Sequence, residues 1–253
     1  MKSIDFPAIT SWALAVLLLT LRLGPAFALA PPFSLIQAPM RVRIALVLAF
    51  AACLATPVSG LLARNGLSLA IACATELLLG LTIAFALQAA FASLSFAGRM
   101  LDIQAGYGLA TVILPGARTQ TPLFGAILTL VAGLIFFANG GHLALLQLIA
   151  RMLDVLPLGQ IQSLGGPEPY IRYFGFVMTL GFVATAAVSL TLFLVDLVIA
   201  FLSRALPQMN ALLLGLQVKT IATLLMLAVS GGLLGPATLR LTNAAIDFIA
   251  TTG

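Results

Sequence analysis

The stretch LSLAIACATELLLGLTIAFALQAAFASLSFA (Leu67–Ala97), running directly into GRMLDIQAGYGLATVILPGARTQTP (Gly98–Pro122), decides the fold class. The first part reads as one helix of about 46 Å at 1.5 Å per residue, which overshoots a hydrocarbon core of about 30 Å. It must tilt, break or project beyond the bilayer. The second part is polar and carries glycines, and lipid does not tolerate exposed irregular backbone. That segment must be shielded by protein, line a water-filled path or lie outside the membrane.

The rest of the chain supports the same class. Of 253 residues 62% are hydrophobic and only 8% charged, more apolar surface than one soluble core hides. The runs Ile44–Ala63, Leu77–Gly98, Tyr173–Val195 and Thr220–Leu239 carry no charge, and each reaches the roughly 20 residues that cross a bilayer as helix. Gly, Pro and Arg punctuation predicts helices near 12–30, 41–62, 67–97, 122–138, 143–156, 171–204 and 211–250. The fold class is an all-α integral membrane protein built from long tilted helices arranged as hairpins. Asn139-Gly140-Gly141-His142 reads as a kink or turn, and Pro157–Pro169 as the principal loop. That loop divides a front region, 1–160, containing a glycine-bearing loop at 104–122, from a back hairpin, 170–253.

An apolar run after Lys2 and small-x-small sites near Ala28 raise a signal peptide. Arg22, between the run and the cut, would spoil its hydrophobic region, so 12–30 is read as a retained helix. Of the twelve basic residues, five fall on each side of the membrane in a six-span topology, and Arg22 and Lys219 lie within helices. This tie suggests that some apolar segments do not simply cross the bilayer.

The net charge of +5 is spread singly rather than as a stripe, which argues against nucleic-acid binding. The two cysteines, Cys53 and Cys73, offer neither a metal spacing nor a disulfide framework. One histidine makes no metal site. No Gly-x-Ser-x-Gly, Gly-Lys-Ser/Thr or His-Glu-x-x-His motif occurs. No catalytic residue, metal or cofactor is expected, and an enzyme is set aside.

Arg22, Glu76, Gln88, Asp196 and Lys219 sit inside apolar runs, where an unpartnered ion costs about 3 kcal/mol or more. They belong to structural pairs, helix-end snorkelling or subunit contacts; alternatively, Glu76 and Asp196 form the relay of a proton-coupled secondary transporter with broken helices near Gly106 and Asn139. Arg99 and Asp102, three apart, predict a local ion pair. His142 predicts a hydrogen bond at a helix boundary. Between Gly106-Tyr107-Gly108 and Pro115-Gly116, the strip Leu109-Ala110-Thr111-Val112-Ile113-Leu114 has the composition of a hydrophobic constriction or of a buried structural loop.

Five motifs in order then carry a resemblance: Arg41-Val42-Arg43 opening an apolar helix; Gly98-x-x-x-Asp102-x-Gln104-x-Gly106; Asn139-Gly140-Gly141-His142; Leu156-Pro157-Leu158-Gly159; and Pro207-Gln208-Met209-Asn210. Together they resemble the family of flagellar biosynthetic protein FliR and its injectisome relatives, SctT, over nearly the whole chain. The resemblance implies a non-enzymatic subunit of the type III export gate in the bacterial inner membrane and flagellar basal body. Its partners would be FliP, FliQ, FlhB and FlhA, with unfolded export substrates passing through the assembly. It also implies that the front region is like a FliP subunit, the back hairpin like a FliQ subunit, and Gly106–Pro122 like the plug that helps seal the closed pore. The family commonly has glutamate where Arg99 stands, aspartate where Leu114 stands, and Gly-Phe-Pro where Gly215-Leu216-Gln217 stands.

Overall fold

A computed structural model of the chain describes residues 6–35, 39–55, 66–107, 122–159, 166–206, 208 and 210–252. Over these it is helical, in the order α1 (Phe6–Leu29), α2 (Pro31–Leu35), α3 (Met40–Leu54), α4 (Gly66–Gln104), α5 (Leu123–Ala138), α6 (Gly141–Val155), α7 (Glu168–Ala205) and α8 (Ala211–Thr252). Among the described residues, four helices are long and apolar enough to cross a membrane, and a fifth span arises if α5 and α6 count as one broken helix.

The long apolar run becomes a single helix of 39 residues, so of the options open to it, a break is not the one taken. The predicted second helix is shorter than its apolar pattern. It stops at Leu54, where Ala55 is extended at φ −67° and ψ 117°, rather than continuing to 62. Residues 56–62, over which the helix was expected to continue, lie outside the described residues. The bend at Asn139-Gly140 is 65°. Gly140 makes it with φ +71°, a conformation that a Cβ would strain.

The chain forms two compact units. One comprises residues 1–88, 137–173 and 242–253; the other comprises 89–136 and 174–241. In the first, α1 and α4 meet where Gly80 faces the α1 backbone. A Cβ on Gly80 would lie 2.5 Å from the carbonyl oxygen of Arg22 and 2.7 Å from that of Leu21. Pro25 has no N–H to give the Leu21 carbonyl, and a small residue opposite lets α4 approach that side of α1. An aromatic cluster closes the unit elsewhere. Tyr173 stacks on Phe248 at 4.3 Å, Phe85 lies against both, and the Tyr173 hydroxyl donates to the Ala86 carbonyl at 2.6 Å.

In the second unit, α4 and α5 touch backbone to backbone. A Cβ on Gly98 would lie 2.5 Å from the Cα and N of Gly125. Phe91 meets Phe136 edge-on at 6.2 Å, and Phe96 meets Phe182 at 5.8 Å. Gly181 of α7 approaches the Ser93 carbonyl in the same way. The apolar faces of α7 and α8 are otherwise left bare: an 18-residue apolar stretch within Glu168–Ala205 is 22% buried and one within Leu213–Gly232 is 17% buried, against 44% for the corresponding stretch of Leu69–Gln104. Lipid or further protein must cover them.

The glycine contacts are testable. Gly98→Val should destabilise the detergent-solubilised protein by about 2 kcal/mol or more, because β-branched bulk cannot enter a backbone contact. Gly231→Ala, where a Cβ meets open space, should be neutral or stabilising by up to about 1 kcal/mol. Thermal unfolding of the two variants checks both.

Candidate functional site

Three polar constellations stand out against the apolar background. The most buried lies in the first unit, where Arg22 of α1 and Glu76 of α4 are each 1% exposed and joined in a bidentate pair. Arg22 Nε donates to Glu76 Oε2 at 2.6 Å, and a terminal guanidinium nitrogen donates to Oε1 at 3.1 Å. The Leu156 carbonyl accepts from both terminal nitrogens at 3.2 and 3.3 Å, and the Gly159 N–H donates to Glu76 Oε1 at 3.1 Å. Each ion therefore has its partner and a backbone contact besides, which is the condition for burying a charge pair at tolerable cost. The Leu156-Pro157-Leu158-Gly159 motif thus acts through main-chain groups, aimed by Gly159 at φ +77°.

The second constellation closes the two described ends of the 104–122 segment. Helix α4 ends in a Schellman arrangement: Gly106 at φ +89° donates to the Ile103 carbonyl at 3.1 Å, and the Tyr107 N–H donates to the Asp102 carbonyl at 2.9 Å. The Asp102 side chain accepts from Phe124 N at 3.0 Å and from Gly125 N at 3.4 Å. A carboxylate there satisfies orphan donors of the α5 N-terminus and meets the positive end of its dipole. Tyr107 packs edge-on against Phe124 at 5.6 Å. The predicted Arg99–Asp102 pair is not formed. Arg99 is exposed, whereas Asp102 is buried, and fixed N–H groups neutralise a buried carboxylate without ordering a long side chain. Of the expected plug residues, Gly106 and Tyr107 are half-buried, and Gln104 is exposed. Gly108, Leu109, Val112, Ile113, Leu114, Pro115 and Gly116 lie outside the described residues.

The third is an ion pair between Asp196 of α7 and Lys219 of α8, with side chains 47% and 20% exposed. Both embedded acids are thus engaged by cations from other helices. Elsewhere, Gln88, Arg41 and Gln208 are exposed. Arg43 donates to the carbonyls of Ala28 and Ser34, and Pro207 lies outside the described residues. Asn139 sits exposed at the bend. His142 lies 5.5 Å from Phe137, ring to ring, and its Nδ1 is buried without a hydrogen-bond partner. The boundary hydrogen bond expected of it is not made through that atom. Among the described residues, no three His, Cys, Asp or Glu side chains gather as metal ligands.

The fold and these sites define a polytopic helical membrane protein whose embedded charges are consumed by internal pairs. The chain belongs to the bacterial export proteins, family 1, whose family model matches residues 13–245. It is 28% identical over 215 residues to flagellar biosynthetic protein FliR of Aquifex aeolicus, covering 85% of this chain and 82% of that protein. It is 26% identical to flagellar biosynthetic protein FliR of Escherichia coli, over 85% and 84%. To Yop proteins translocation protein T of Yersinia pestis it is 30% identical, over 60% and 59%.

The cap assignment carries its own test. Asp102→Ala should cost about 1–2 kcal/mol in unfolding of the solubilised protein, as loss of a helix cap does, and Asp102→Asn should cost less. Arg99→Gln should stay within about 0.5 kcal/mol of wild type. A loss in Arg99→Gln equal to that in Asp102→Ala would reinstate the ion pair.

Proposed function

We propose that this chain is a structural channel and gate subunit of the flagellar type III protein export apparatus. It contributes wall and seal to a path that carries unfolded export substrates across the bacterial inner membrane at the basal body. The observation that carries this reading is the family match over residues 13–245, which spans all five ordered motifs. Flagellar relatives of Aquifex aeolicus and Escherichia coli align over 85% of the chain, which favours the flagellar form.

The polar architecture supports a passive role. A proton-coupled carrier needs acids that change partners, yet Glu76 is held by a guanidinium and a backbone N–H, and Asp196 by an ammonium. The bare apolar faces of α7 and α8 suit a subunit whose hairpin is covered by neighbours. By the family resemblance those neighbours are FliP, FliQ and FlhB, with FlhA delivering substrates, residues 1–160 standing as a FliP-like part and 170–253 as a FliQ-like part. The apolar strip Leu109–Leu114 is the proposed seal: an apolar constriction stops ions by excluding water and needs no charge.

Two measurements test this. The purified chain alone, in proteoliposomes, should move no small solute; uptake above empty liposomes would overturn the subunit reading. Deleting 109–114 within the assembled complex should raise its ion conductance in planar bilayers while co-purification with its partners persists. Background conductance in an assembled deletion would remove the seal from these residues.

A further inference from the structure

Within the second unit, α8 touches the point where the chain leaves α4. Gly106, at φ +89°, turns its bare Cα toward Leu216, and a Cβ there would lie 2.7 Å from Leu216 Cδ1. A side chain at 106 would displace that methyl, so the glycine serves the contact as well as the positive φ. The next residue, Tyr107, packs on Phe124 of α5 and donates its N–H to the Asp102 carbonyl. The exit of α4 is thus held by α5 and, separately, by α8. The hold by α8 is narrow: Leu213, Ile221, Leu224 and Leu225 around the contact are each more than half exposed. Leu216 itself is 40% exposed, so burial alone does not decide where its side chain goes.

The seam between α7 and α8 decides it. Gly215 admits Ile199 of α7, whose Cδ1 lies 3.5 Å from where a Cβ on that glycine would stand. Lys219, one turn further along the same face of α8, pairs with Asp196, one turn before Ile199 on α7. Two contacts a turn apart set both the register and the rotation of α8 against α7. Leu216 follows Gly215 by about 100° round the helix, which takes it off the seam and onto Gly106. A slip of one residue would swing it away by the same angle. The ion pair resists that slip better than methyl packing does, because parting it would leave two unpartnered ions among apolar side chains.

We propose that the Asp196–Lys219 pair is a positioning device for the exit of α4. It holds α8 in the register that seats Leu216 on Gly106, and so fixes the point from which the chain continues beyond Tyr107. For the gate this makes the back hairpin the anchor of the seal, a consequence that rests on reading 109–114 as the seal.

The test uses the full chain in its purified membrane assembly and follows hydrogen–deuterium exchange at the Gly106 and Tyr107 amides, which donate to the Ile103 and Asp102 carbonyls. Leu216→Ala should speed that exchange about fivefold or more, with no change around the buried Val177 and Val188 of α7. Asp196→Ala should act likewise through the register of α8, and the swap Asp196→Lys/Lys219→Asp should restore the wild-type rate. Leu216→Met, which keeps an apolar chain of similar reach, should stay near wild type. Unchanged exchange at 106–107 in Asp196→Ala overturns the proposal, as does an equal acceleration along α7, which marks general loosening. Should Asp196→Ala fail to assemble, Asp196→Asn decides in its place, faster exchange supporting the proposal and an unchanged rate overturning it. Conductance of the same assemblies separates the anchor from the seal: faster exchange with raised conductance supports both, whereas faster exchange at background conductance supports the hold on Gly106 and removes the seal from 109–114.

Discussion

The buried pair of Arg22 and Glu76 constrains everything around it. An ion taken out of water and away from headgroups costs several kcal/mol even after relaxation, so the helices that carry these residues have to keep them in register. Glu76 lies one turn from Gly80 on α4, and Gly80 is where α4 meets the α1 backbone at Leu21 and Arg22. The close approach and the ion pair are thus a single device: the missing side chain brings the helices together, and the charges fix their register. The turn from Leu156 to Gly159 completes it with a carbonyl for the guanidinium and an N–H for the carboxylate. Three segments distant in sequence are bound at one point.

The same economy recurs elsewhere. Asp102 anchors the N-terminus of α5 through two N–H groups, and Asp196 holds Lys219 across the α7–α8 hairpin. In each case an embedded acid fastens one helix to another. For a family of export components this is coherent, since a wall and a seal need fixed geometry, and the path for an unfolded chain needs no nucleophile.

Much of the fold was legible in the sequence, because bilayer thickness turns apolar length directly into helices. The bend at Asn139-Gly140 and the loop opening at Pro157 also followed from glycine and proline chemistry. Other features were not legible, for a common reason. The partner of Glu76 lies 54 residues away and that of Asp102 more than 20, so helical spacing pointed either to nothing or, for Asp102, to the wrong neighbour at Arg99. The Leu156–Gly159 motif could be recognised as a pattern, yet its contribution is through backbone atoms, which residue type does not announce.

The central claim is that the embedded charges serve architecture. Its most direct test is the paired replacement Arg22→Met/Glu76→Leu, measured by complex assembly and by secretion of an export substrate in cells, beside each single replacement. Each single change strands a buried ion and should deplete the assembled complex. The double change removes both ions together and should recover most of the assembly and, with it, export. A double variant that assembles normally but exports nothing would contradict the account, because the pair would then be working as a relay.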